Sequence, residues 1–122
     1  MSRRVFLLLV LGVTLSAAPA MAVISPSGID PRLRLDWEPG QARNGRPVIS
    51  GYLYNDYGRP ANNVRLLVES LDGSGAVIDR ALGFVVGPVP GLGRSYFIVP
   101  LKTPGASYRV SVTAFEWRDG GF

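Results

Sequence analysis

Residues 63–86 read NVRLLVESLDGSGAVIDRALGFVV, and the fold follows from how this stretch alternates and where it turns. Val64, Leu66 and Val68 recur at every second position, with Arg65 and Leu67 between them and Glu69 after them. That period of two belongs to a half-buried strand, because successive side chains of a strand point to opposite faces. Asp72-Gly73-Ser74-Gly75 then supplies hairpin-turn chemistry, and an apolar return strand, residues 76–86, follows at once. Gly83 inside that return strand is expected to mark a bulge.

The same grammar extends in both directions. Residues 32–37 (RLRLDW) put Leu33, Leu35 and Trp37 on one face and Arg32, Arg34 and Asp36 on the other. Residues 38–47 are turn-forming, and residues 48–54 (VISGYLY) alternate again with Ile49, Gly51 and Leu53 on one side. Asp56 to Pro60 breaks that strand, and Asn55 is expected to close the break by bonding its side chain to the backbone. Beyond the hairpin, residues 87–93 (GPVPGLG) suit neither a helix nor a central strand. Residues 94–99 and 107–117 complete the pattern, the latter with Tyr108, Val110, Val112 and Ala114 in line. Roughly six or seven short strands with Gly/Pro turns predict an all-β, immunoglobulin- or fibronectin-like antiparallel β-sandwich over residues 32–122.

The first 31 residues differ in kind. Arg3 and Arg4 precede an apolar run, Val5 to Leu15, and a small-residue segment ending Ala20-Met21-Ala22. This is the order of a signal peptide spanning residues 1–22, with cleavage between Ala22 and Val23. Eleven helical residues reach only about 16 Å, against a hydrocarbon core of ~30 Å. The rival reading is a retained anchor, against which Pro19 and the cleavage site both speak. Residues 23–31, rich in Pro, Ser and Gly, read as an extended lead-in. The expected compartment is therefore the periplasm or the cell exterior. The arginine excess, with Lys102 the only lysine, suits a high-GC bacterial genome.

Composition removes several function classes. The chain has no Cys and no His. It thus lacks the usual general base, the thiol nucleophile and the nitrogen and sulfur metal ligands, so neither a metal nor another cofactor is expected. A Ser–Lys pair from Ser95 or Ser107 with Lys102 has nothing to hold it in register across Pro104 and Gly105. Two groups of carboxylates, Asp30/Asp36/Glu38 and Glu69/Asp72/Asp79, read as solvent-facing strand positions and a turn residue; Asp-Gly-Ser-Gly lacks the ligand spacing of a dedicated calcium loop. Without residues 1–22 the chain carries eleven basic and nine acidic side chains, a net +2 spread along its length. No basic stripe for nucleic acid emerges. The expectation is a non-enzymatic domain.

From residue 49 to about 115 the chain resembles the FxLYD family of bacterial exported or membrane-tethered β-sandwich domains. The resemblance rests on Gly51-Tyr52-Leu53-Tyr54-Asn55, on Pro60 and Asn63-Val64, on the alternating strand to Leu71 with Asp72 and its glycine, and on Phe97, Val110 and Val112. At the namesake motif, Val68-Glu69-Ser70-Leu71-Asp72 keeps only the aspartate. What the resemblance implies is an accessory or interaction module with no common activity.

Exposed aromatic residues are what remains as a functional signal. If Ile49, Leu53 and Phe97 face inward, Tyr52, Tyr54 and Tyr96 face outward, and Phe115 and Trp117 are expected outward near the domain edge. Tyrosines beside Arg34 and Arg94 have the composition of a recognition surface. The competing interpretation is cross-strand bracing of an exposed sheet. The first expectation is therefore a protein partner in the cell envelope, bound through Tyr52, Tyr54, Tyr96, Arg34 and Arg94. The alternative is a small-ligand- or carbohydrate-binding domain that uses the same tyrosines.

Overall fold

The structure, a computed structural model, describes residues 23–26 and 29–118. The proposed signal segment and its cleavage site at Ala22 lie outside the described residues. Seven strands run in chain order: β1 Val23–Pro26, β2 Leu33–Gln41, β3 Pro47–Asn55, β4 Ala61–Leu71, β5 Val77–Phe84, β6 Arg94–Pro100 and β7 Ser107–Trp117. No helix occurs among the described residues. The strands form two antiparallel sheets, β1-β2-β3-β6 and β5-β4-β7. The lead-in is therefore partly structural, since Val23–Pro26 pairs with residues 34–37 of β2.

The core lies between the sheets and uses the alternation read from the sequence. Leu33 and Leu35 of β2, Ile49 and Leu53 of β3, and Phe97 and Val99 of β6 are buried from one side. Val64, Leu66 and Val68 of β4, with Val110 and Val112 of β7, are buried from the other. The register aligns them in cross-strand rows: Leu66 stands between Gly83 and Val112, and Val68 between Ala81 and Val110. Burying such a set from water is the main source of stability in a chain without disulfides.

Three expectations need correction. Residues 38–41, expected in a turn, instead extend β2 and pair with residues 47–50 of β3, so the turn is confined to residues 42–46. Gly83 does not form a bulge: it pairs regularly with Leu66, and the β4–β5 register shifts instead at Ser70/Leu71, leaving Ile78 unpaired between Val77 and Asp79. Gly83 is glycine because a Cβ there would lie 2.5 Å from Cγ2 of Val99, across the sandwich. Phe115 and Trp117 are not outward but half-buried against the core. The β4–β7 register shifts between Asn62 and Leu66, where Asn63 adopts φ 53°, a left-handed conformation asparagine tolerates. Trp117 consequently sits opposite the buried Ala61, with its ring edge-on to Phe115 and Tyr57 at 4.9 and 4.7 Å.

Turns are held by side chains. Asp72 Oδ1 accepts hydrogen bonds from the Ser74 amide and hydroxyl and from the Ala76 amide. The Ser74 hydroxyl, then the Ala76 and Ser74 amides, hold the Asp72 carboxyl below its ordinary range. Asn55, 1% exposed, closes the β3–β4 turn as expected: Oδ1 accepts from the Tyr57 amide at 2.9 Å, and Nδ2 donates to the carbonyls of Arg59 at 2.7 Å and Val89 at 3.3 Å.

Candidate recognition face

The outer face of the first sheet is built from the alternate positions of β2, β3 and β6, and the register aligns them in three rows. Arg34, Tyr54 and Arg94 form one; Asp36, Tyr52 and Tyr96 form the next; Glu38, Ser50 and Ile98 form the third. All five residues singled out from the sequence thus lie together on one face. Gly51 allows β2 and β3 to approach here, because a Cβ would run into the Asp36 carbonyl oxygen and lie 2.6 Å from Trp37 Cα.

Much of this face is already engaged within the chain. Tyr52 packs edge-on to Tyr96 with ring centroids 5.5 Å apart, and tilted to Tyr54 at 6.4 Å. The Arg94 guanidinium sits 4.1 Å from the Tyr52 ring centroid and donates to the Tyr54 hydroxyl at 3.3 Å. That hydrogen bond, with attraction from the tyrosines and Asp36 added, raises Arg94 above its ordinary pKa. Arg34 lies 5.1 Å from the Tyr54 centroid and makes a two-pronged ion pair with Asp56 at 2.5 and 3.0 Å. The pair raises the Arg34 pKa and lowers that of Asp56. Cation–π contacts of this kind attract a guanidinium to the negative face of a tyrosine ring. Both arginines therefore brace the face, and its free part is the Tyr96 side, where Tyr96 and Ile98 are 53% and 50% exposed.

Beside Tyr96 the surface dips into a depression of about 250 Å³ lined by Asp36, Trp37, Glu38, Ser50, Gly51, Tyr52 and Tyr96. Trp37, half-buried at the edge of the core, and the carboxylate at Glu38 were not part of the expected site. Alternation assigned Trp37 to the inner face, yet it lines this rim together with its strand partner Gly51.

The remaining carboxylates serve elsewhere. Asp30 pairs with Arg32 at 2.9 Å, and Glu69 lies between Arg109 at 2.8 Å and Arg80 at 3.3 Å. Hydrogen bonding to Arg109, and secondarily Arg80, keeps Glu69 below its ordinary pKa. The described residues contain no group of three acidic side chains placed to share a metal ion. A surface the sequence did not announce runs along β5, where Leu82 and Phe84 are 73% and 61% exposed on the outer face of the second sheet.

The described part of the chain is thus a two-sheet, all-β sandwich with an aromatic outer face. No family model matches it, and neither a curated protein nor a solved structure was found to be similar.

Proposed function

We propose that the protein is an exported, non-enzymatic β-sandwich module that recognises a protein of the bacterial cell envelope through the outer face of its first sheet. The observation that carries this reading is the gathering of Tyr52, Tyr54, Tyr96, Arg34 and Arg94 on one face, with the exposed Ile98 and the depression beside them. Aromatic and arginine residues are the side chains most enriched at such surfaces, because rigid rings provide contact area at small entropic cost.

Order of the strands supports an immunoglobulin-like variety of sandwich. The chain leaves the first sheet after β3, returns as β6 and crosses again as β7, in the Greek-key manner of that architecture. The sequence resemblance to the FxLYD domains fits the same picture. Export rests on the tripartite segment 1–22, and the absence of His and Cys from the chain supports a binding rather than a catalytic role. A second reading, small-ligand or carbohydrate binding, is favoured by the depression next to Tyr52 and Tyr96.

One preparation tests these points together. Tagged protein recovered from its native envelope should have an intact mass that begins at Val23 and should retain a partner. Changing Tyr52 and Tyr96 to Ala should abolish retention while costing only about 1 kcal/mol of stability from the lost ring pair. A double variant that loses stability but keeps the partner would mean that the rings only brace the sheet.

A further inference from the structure

Two of the three tyrosines on this face already carry a cation. Arg94 covers Tyr52 and Arg34 covers Tyr54. Each of these guanidiniums also has an oxygen partner, the Tyr54 hydroxyl and the Asp56 carboxylate. Tyr96 has no guanidinium over its ring among the described residues. Its neighbours in the depression include two carboxylates, Asp36 and Glu38, and no lysine or arginine. Neither carboxylate has a hydrogen-bond or ion-pair partner among the described residues. The neighbouring Arg94 is attracted by Asp36 without reaching it.

The depression therefore has the same parts as the position Arg34 occupies, a tyrosine ring and a carboxylate, but lacks the cation. Resting on the reading of this face as a recognition surface, we propose that the depression receives an arginine side chain of the partner protein, its guanidinium held between the Tyr96 ring and the Asp36 and Glu38 carboxylates. Ring faces are negative and attract cations, and paired carboxylates repel an anionic ligand while matching the planar donor fork of a guanidinium. Size agrees with this choice. A volume of about 250 Å³ falls below the ~300–1,000 Å³ of most drug-sized sites, and suits a single side chain.

Amide shifts in an NMR titration of the protein test the inference, with N-acetylarginine methylamide as probe. Its citrulline counterpart, equal in shape but uncharged, and maltose serve as comparisons. The arginine probe should shift the amides of Asp36, Glu38, Ser50 and Tyr96 saturably. Affinity should fall about tenfold or more when Asp36→Asn and Glu38→Gln are combined, when Tyr96 becomes Leu, and when salt is raised. Dispersed spectra of the variants establish that they are folded. Equal response to citrulline, or indifference to the double neutralisation, would overturn the inference. Maltose shifting these amides in place of arginine would also overturn it, while leaving the face a binding surface. No response to any probe, with partner capture still dependent on Tyr96, would reject the arginine and keep the recognition face. Capture independent of Tyr96 would reject both.

Discussion

Replacing Asn55 should reveal how much one buried amide contributes to this fold. The residue is 1% exposed and makes three hydrogen bonds, one accepted from Tyr57 and two donated to Arg59 and Val89. The carbonyl of Val89 keeps a second donor, the Ala61 amide at 3.0 Å, so its loss is minor. The Tyr57 amide loses its side-chain partner in a half-buried turn. An unmade hydrogen bond to a buried group costs about 1–3 kcal/mol, and the vacated space adds to that, so Asn55→Ala should destabilise by roughly 2–4 kcal/mol. Asn55→Asp is the sharper probe. It keeps the acceptor for Tyr57 but turns an oxygen toward two carbonyls where a donor stood. Burial and those carbonyls favour the protonated acid, so the folded-state pKa of this Asp rises above its unfolded value of about 3.9. Between those two values the folded state holds more protons than the unfolded one, and stability falls as pH rises. The variant should therefore lie closest to wild type near pH 4 and lose ground toward pH 7. Urea denaturation of both proteins at several pH values measures the gap. An Asn55→Ala cost below about 0.5 kcal/mol, together with a pH-independent gap for Asn55→Asp, would refute the assignment of this side chain as the lock of the turn.

Two further expectations concern the core and acid stability. Phe97→Ala should cost about 3–5 kcal/mol by leaving a cavity, and Val110→Asp more, by burying an unpaired charge; Arg34→Ala should have a small effect, since water and salt screen an exposed pair. Chemical denaturation separates the three, and equal small effects would mean the inner and outer faces are exchanged. The carboxyls of Asp30, Asp56, Glu69 and Asp72 are all held below their ordinary pKa by hydrogen-bonded partners. Their contribution is complete above the unfolded carboxylate range and is lost as pH falls through the lower folded-state values. Thermal unfolding between neutral pH and pH 2 should show that decline, reduced at high salt.

Period-two alternation determined most of this protein, because a strand with one buried face must place apolar residues at every second position. The inward residues of β2, β3 and β4, the Asp72 hairpin and the Asn55 turn were legible for that reason: each depends on neighbours a few residues away. Alternation also placed Tyr52, Tyr54 and Tyr96 outward. What it could not contain was anything set by register between distant strands. The bulge at Ile78 and the inward turn of Trp117 arise where β4 slips against its two neighbours. Gly83 answers to Val99, sixteen residues on and in the other sheet. The pairing of Arg34 with Asp56 and of Arg94 with Tyr52 requires three strands laid side by side. So does the acidic depression: Asp36 and Glu38 are ordinary surface residues in the sequence, and they become neighbours of the Tyr96 ring only because β2 and β6 flank β3.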